Sequence, residues 1–212
     1  MKTQILPINT LTGAQISAVA RALAQGALAV FATDTVYGLG TGAFCETAIQ
    51  KIYALKRRPA TQPLQILVAD LVQARQIAQF GGGAARLAEA YWPGGLTLIL
   101  PPAQAGKPLL RGAGGLGLRV PDYAPLTRIL ARMPMPLCST SANLHGQPVL
   151  TDEPDVCKTF DGQVEYILTA GTLSPTASCV VDVTTDPARL LRAGCISTEE
   201  LVRTYGAPIV AK

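Results

Sequence analysis

Charge, aromatic rings and histidine are all scarce in this sequence, and each shortage closes off a class of function. Asp, Glu, Lys and Arg make up 15% of the 212 residues, against roughly 25% in an average globular domain. The surface is therefore sparsely charged. One Trp, six Tyr and four Phe are too few for a nucleic-acid platform built on rows of stacking rings. With His145 as the single histidine, a multi-histidine metal site is excluded, and any Ser-His-Asp or Cys-His scheme has to run through that residue alone. The five cysteines, Cys45, Cys138, Cys157, Cys179 and Cys195, are odd in number and form no C-x-x-C pair. They read as reduced, mostly buried thiols of a cytosolic protein. No apolar run approaches the roughly 18 residues of a membrane helix, and Thr3-Gln4-Ile5-Leu6-Pro7 lacks the apolar core of a secretion signal. The expectation is a cytoplasmic protein with no membrane contact.

What is present is core. Hydrophobic residues make up 49% of the chain, which excludes intrinsic disorder, and at roughly 150 residues per domain the length favours one domain. Eighteen Lys and Arg against 14 Asp and Glu leave +4, and the location of that excess is telling. Between Glu46 and Asp70 there is no acid, while Lys51, Lys56, Arg57 and Arg58 all fall there. The other bases balance the acids. Lys56-Arg57-Arg58-Pro59 adjoins a proline that should end a helix. It reads either as a solvated basic helix end that suits the helix dipole or as a phosphate-binding cluster.

Helical and strand signals alternate along the chain. Thr12 and Gln15 have capping-box spacing, with Leu11 and Ile16 placed as a hydrophobic staple, and Ile16, Val19, Ala20 and Leu23 follow helical period. Ala27 to Ala32 suits a buried strand that empties into a polar, glycine-bearing loop, Thr33 to Gly40. A helix carrying Ile49, Ile52 and Tyr53 comes next, then a strand at 64–69, helices near 71–80 and 84–91, and a strand at 96–100. The pattern continues with a strand at 117–120, a helix at 123–132 and a strand end at 136–139. A helix near 152–160 and strands at 164–168, 178–183 and 189–192 complete it. Ser197 and Glu200 form a second capping box at a last helix, about 197–205. With no repeat and no linker this is one α/β domain, and its polar motifs sit at strand ends, where such sheets place ligand sites.

Gly112 to Gly117 satisfies G-x-G-x-x-G, but strand and turn follow where a dinucleotide fingerprint needs a helix. No Walker A motif is present, since Pro108 follows Gly106-Lys107. Any nucleotide is held by another device.

Six motifs remain, in order: Thr33-Asp34-Thr35-Val36-Tyr37-Gly38-Leu39; Lys56-Arg57-Arg58-Pro59 with Pro63-Leu64; Pro93-Gly94 with Leu96-Thr97-Leu98; Arg119-Val120-Pro121; Ser139-Thr140-Ser141-Ala142-Asn143; and Arg192-Ala193-Gly194. Together they resemble the YrdC-type threonylcarbamoyl-adenylate synthases over about residues 15–195. The resemblance implies an α/β fold with a twisted mixed sheet flanked by helices and a concave basic ligand cleft. It also implies an enzyme joining L-threonine, bicarbonate and ATP into threonylcarbamoyl-adenylate and pyrophosphate. Magnesium would accompany the ATP, and the product would feed a tRNA threonylcarbamoyl-transferase complex. Such a transfer needs positioning and cations over the departing phosphates more than a catalytic histidine.

By the same resemblance Lys56 and Arg58 meet the triphosphate as the catalytic cations, both facing one pocket if the chain there is extended. Thr97, Ser139, Ser141, Asn143 and Arg192 complete the ATP shell. Thr35, Tyr37, Gln62, Arg119 and Ser178 hold threonine, Arg119 through its carboxylate. A salt bridge from Arg119 to Asp122 and a plain capped turn at Ser139 to Asn143 are the alternatives. Gln62 stands where many members carry histidine, Gly95 where proline is frequent, and Cys179 where a hydroxyl is usual. His145 is a loop residue, and Asp34, the one acid inside a motif, caps its turn. The chain resembles the short, single-domain form of the family, with the glycine-rich segment 103–117 in place of a larger lid. An RNA-binding module with weak tRNA contact, and a paralogue with lost or altered specificity, are the competing readings.

Overall fold

Alternation of helix and strand carries through from sequence to structure, a computed structural model that describes residues 2–144, 146–174 and 177–211. The first half runs β1 (Gln4–Pro7), α1 (Gly13–Ala24), β2 (Ala29–Phe31), β3 (Gly38–Gly42), α2 (Glu46–Lys56), β4 (Gln65–Leu67), α3 (Leu71–Ile77), α4 (Gly82–Tyr91) and β5 (Leu96–Leu100). The second runs β6 (Leu116–Arg119), α5 (Ala124–Leu130), β7 (Leu137–Ser141), α6 (Glu153–Phe160), β8 (Tyr166–Thr169), β9 (Cys179–Asp182), β10 (Ala188–Arg192), α7 (Thr198–Tyr205) and β11 (Ile209–Ala211). All the strands join one mixed sheet in the order β1-β8-β2-β3-β7-β4-β6-β5-β9-β10-β11. Helices flank it: α1 packs on α5 and β3, α2 on β3, α4 on α7 and β5, and α6 on β8. This is the α/β architecture that the sequence implies.

Both capping boxes form. The Thr12 hydroxyl accepts from the Gln15 N–H at 3.3 Å while the Thr12 N–H donates to Gln15 Oε1 at 2.8 Å, and Ser197 and Glu200 repeat the arrangement at α7. Behind its cap, α1 buries Ile16, Val19, Ala20 and Leu23, worth roughly 1.5–3 kcal/mol for each large aliphatic side chain.

Strand alternation sets the two faces of the central sheet. Leu190, Val181, Leu98, Leu118, Ile66 and Cys138 lie opposite one another on successive strands, all buried. The residues between them, Thr97, Gly117, Arg119, Gln65 and Ser139, face the other way. A one-residue slip would exchange the polar row for the apolar one, so the buried row fixes the register of the site.

Two local expectations are corrected. Gly38 to Gly42 is a fully buried strand rather than a loop, because the Phe31 ring occupies the space above Gly38 and Gly40 that side chains would need. The basic segment is not extended through Lys56: α2 runs to that residue and closes at Arg57, which has φ 53°. The Arg58 N–H donates to Tyr53 O and the Arg57 N–H to Ala54 O, a Schellman closure with arginine where glycine is usual. The short strands β1 and β11 were not foreseen, and His145 lies outside the described residues.

Candidate active site

A cavity of about 540 Å³ opens over the polar row. Eight of the twelve expected site residues line it: Thr35, Arg58, Thr97, Arg119, Ser139, Ser141, Ser178 and Arg192. They come from seven separated segments, brought together by strand order.

Arg119, on β6, is 4% exposed and makes three contacts. Its Nε donates to Gly94 O at 2.9 Å, Nη1 to Thr35 Oγ1 at 3.2 Å and Nη2 to Asp34 Oδ2 at 2.7 Å. Its acidic partner is thus Asp34 rather than Asp122. The Thr33 hydroxyl accepts from the Thr35 and Val36 N–H groups and donates to Val36 O. That local turn presents Asp34 and Thr35 to the arginine.

Arg192, on β10, clasps Ser178 through Nε to the carbonyl at 2.9 Å and Nη2 to the hydroxyl at 2.7 Å. Arg58 donates to Thr140 Oγ1 at 3.2 Å and Pro63 O at 2.9 Å, and its Nε is buried without an acceptor among the described residues. Neither Arg58 nor Arg192 has an acidic partner among the described residues. Burial pushes both guanidinium pKa values down, and the Arg119 charge presses further on Arg192. Three guanidiniums thus line the cavity, and among the described residues one of them is paired with a carboxylate, that of Asp34, which is not itself in the lining.

Four expected residues are placed elsewhere. Lys56, 2% exposed, turns behind the lining: its Nζ donates to Ser141 O at 2.6 Å, Asn143 O at 2.5 Å and Asn143 Oδ1 at 3.0 Å. Burial, with the Arg58 charge acting in the same direction, lowers its pKa to about 8. Asn143 also accepts from the Ser141 hydroxyl at 2.6 Å and donates to Gln147 O, so it shapes the loop from behind. Tyr37 is fully buried; its hydroxyl donates to Gly171 O at 2.7 Å and accepts from the Ala170 N–H at 2.9 Å. The Gln62 side chain is exposed.

Gln65 is in the cavity instead and was missed. Its Nε2 donates to Thr97 Oγ1 at 2.5 Å, and the available signal was its place at the polar end of an otherwise apolar strand. The segment 103–117 reaches the cavity through Gly115 and Gly117 but is anchored. Arg111 donates to Glu46 Oε2 at 3.0 Å and Ala43 O at 2.6 Å, and a Cβ on Gly106 would lie 1.9 Å from Ile77 O. The Cys138 thiol, buried under the site, is pushed up to about 12 by desolvation, which makes it inert. Among the described residues no group of three or more His, Cys, Asp or Glu could hold a metal ion, and no helix is long and apolar enough to cross a membrane.

A single fold carrying this cation-lined cavity defines the class. The Sua5/YciO/YrdC family model, described as "Telomere recombination", matches residues 21–194, and the chain belongs to that family. A threonylcarbamoyl-AMP synthase of Pyrococcus abyssi is 35% identical over 86% of this chain and 54% of its own length. Another, from Chromobacterium violaceum, is 33% identical over 71% of this chain and 79% of its own. The chain therefore spans only about half of the Pyrococcus relative. A crystal structure of P. abyssi Sua5 complexed with L-threonine matches with TM-score 0.90 at 32% identity, covering 98% of this chain and 62% of that one. Escherichia coli YciO, at 24% identity and TM-score 0.84 over 96% of this chain and 99% of its own, shares the fold.

Proposed function

We propose that the chain condenses L-threonine, bicarbonate-derived carbon dioxide and ATP into threonylcarbamoyl-adenylate and pyrophosphate. The observation that carries this reading is the charge balance of the cavity, where Arg58, Arg119 and Arg192 converge and, among the described residues, Asp34 alone is paired with any of them. An amino acid and a triphosphate together supply the missing negative charge. In the reaction the threonine nitrogen, having lost a proton, bonds to the carbon of carbon dioxide to form a carbamate. A carbamate oxygen then attacks the α-phosphorus, and the bond to the bridging oxygen breaks to release pyrophosphate.

Arg58 and Arg192 hold phosphate oxygens in this scheme, and Arg119 holds the threonine carboxylate, a task suited to a guanidinium fork. Ser139, Ser141, Thr97 and Ser178 offer hydroxyls along the path between them. Lys56 and Asn143 fix the loop bearing Ser141, so the basic cluster works in two layers, with Arg58 in contact and Lys56 behind. The residues present do not form a magnesium cage, since Asp34 is committed to Arg119. Any magnesium enters on the triphosphate as part of the substrate. The product passes, in this reading, to a cytoplasmic enzyme that modifies tRNA, and the whole chain acts as one catalytic unit. Its inward-facing arginines favour catalysis over an RNA-binding module, whose cations would track phosphates along an open surface.

Pyrophosphate release by the purified chain tests the proposal. Release should require ATP, L-threonine and bicarbonate together and should fall sharply in Arg58→Ala. Release independent of threonine, or full activity in that variant, would overturn it. Turnover of another amino acid in preference to threonine would identify a paralogue of altered specificity.

A further inference from the structure

Gln65 stands where the cations of the cavity meet. On β4 it is paired with Ser139 of β7, and the next pair along, Ile66 with Leu118, sets it level with Gly117 on β6. Arg119 lies two residues farther along β6, on the same face. On the other side Arg58 holds Pro63 O, two residues earlier in the chain. Gly117 has no side chain to stand in the way, so the Gln65 side chain reaches across β6 and donates from Nε2 to Thr97 Oγ1 on β5 at 2.5 Å. Gln65 thus lines the cavity between the arginine assigned to phosphate and the arginine assigned to the threonine carboxylate.

A carboxamide has one carbonyl oxygen and two N–H donors. Thr97 takes one N–H, which leaves Oε1 and the second N–H without a partner among the described residues. Neither is sealed off: Gln65 is half-buried, and its atoms are not among the buried polar atoms that lack a partner. Of the described lining side chains, Gln65 alone carries an acceptor and an N–H donor on one carbon, whereas the guanidiniums only donate. The reacting groups differ in what they offer it. An ammonium only donates and a phosphate only accepts. A carbamate, with its N–H bonded to a carboxylate carbon, offers a donor and an acceptor at the spacing of the carboxamide itself.

We propose that Gln65 holds the carbamate intermediate at both points, Oε1 accepting from its N–H and Nε2 donating to one of its oxygens. The second carbamate oxygen is left free for the α-phosphorus. Gln65 exchanges no proton and forms no covalent bond; it fixes the plane of the carbamate between the two substrates. This role rests on the reaction proposed above, and it adds the residue that meets the group made within it.

Separate measurements on the three substrates test this role. In Gln65→Leu, which removes both polar points, kcat/KM for bicarbonate should fall by about 10-fold or more, the scale of a lost hydrogen bond to a charged group. The dissociation constants of L-threonine and ATP, each measured without bicarbonate, should stay within about twofold. Gln65→Thr has a branched side chain that suits a strand and is too short to offer both points; it should give the same pattern and serves if the leucine variant does not fold. If Gln65 only braces Thr97 and the cavity floor, threonine or ATP binding weakens along with bicarbonate use, which overturns the proposal. If Gln65 reads the purine base, the preference for ATP over GTP falls while bicarbonate use is unchanged, and the proposal fails on that result too. Normal bicarbonate use in both variants, in a chain whose unaltered form releases pyrophosphate only with all three substrates, removes this role and leaves the functional reading standing. No release by the unaltered chain under any combination removes both.

Discussion

The paired and unpaired cations of the cavity handle positive charge in opposite ways. Arg119, on β6, is paired with Asp34 and braced by Thr35 and Gly94. Arg58 and Arg192, on either side of it in the strand order, are held by hydroxyls and carbonyls with no carboxylate in their salt-bridge shell among the described residues. The balanced pair suits a ligand of zero net charge, which an amino acid is near neutral pH. The unpaired cations are desolvated and their charge is disfavoured until an anion arrives, and a polyphosphate relieves that penalty. The contrast divides the substrates between the two.

Lys56 stands one layer behind Arg58, and its removal has the largest expected effect. In Lys56→Met the carbonyls of Ser141 and Asn143 and the Asn143 side chain lose their shared donor. Unsatisfied buried acceptors cost about 1–3 kcal/mol each, so a net loss of about 3 kcal/mol is expected, seen as a melting temperature lower by about 6–12 °C. The pH dependence gives an independent signature. Burial holds Lys56 near 8 in the folded chain, below about 10.4 for a free lysine. Between those values the unfolded chain binds a proton that the folded chain has released, so this group's contribution to stability rises with pH across that window and is flat on either side. Melting curves from pH 7 to 10 should show that rise in the unaltered protein and not in Lys56→Met.

Next in size is the exchange between the unpaired and the paired arginine. Arg58→Ala should raise the KM for ATP by about 10- to 100-fold, the scale of a charge-assisted hydrogen bond, with threonine affinity within about twofold. Arg119→Ala should do the reverse. Equal damage to both substrates in either variant would mean that the paired and unpaired arginines do not bind separate substrates.

Local features of the fold were legible in the sequence, and features that depend on distant partners were not. The helices α1 and α7 could be read because a capping box and a 3.6-residue period are written within a few positions. The strand β5 could be read because five apolar-biased residues lie between glycine and proline punctuation. The β3 segment could not, since a glycine strand is legible only once the Phe31 ring above it is known. The same division runs through the site. Arg119, Thr97 and Ser139 line the cavity because strand alternation is a local rule. Lys56 and Tyr37 face elsewhere because their directions are settled by partners 85 and 134 positions away. The pairing of Arg119 with Asp34, across 85 positions, was hidden for the same reason.

Gly194 sharpens the contrast at Arg192 through backbone alone. A Cβ there would lie 2.4 Å from Ala177 O, 2.5 Å from Cys179 N and 2.6 Å from the Ser178 carbonyl carbon, none of which can rotate away. Gly194→Ala should therefore displace the segment bearing Ser178, which Arg192 clasps, and cost about 1.5 kcal/mol by overpacking. ATP binding should suffer more than threonine binding. A larger loss at threonine would place Ser178 with the paired Arg119 instead.

The smallest effect is expected at Arg57, one residue from the arginine that faces the cavity. Arg57 is exposed and left-handed at φ 53°, a conformation that costs an L-residue with a Cβ about 1–2 kcal/mol, and no side-chain bond of its own offsets this among the described residues. Glycine removes the strain but returns about 0.5–1 kcal/mol through the greater freedom of the unfolded chain. Arg57→Gly should thus stabilise by about 0.5 kcal/mol, a rise of about 1–2 °C in melting temperature for a chain of this size. Its ATP KM should stay unchanged, since the turn that aims Arg58 depends on the backbone bonds to Tyr53 and Ala54 and glycine keeps both. If ATP binding weakens instead, the unpaired cations that meet ATP include the outward-pointing side chain, and the charge that matters extends past the cavity rim.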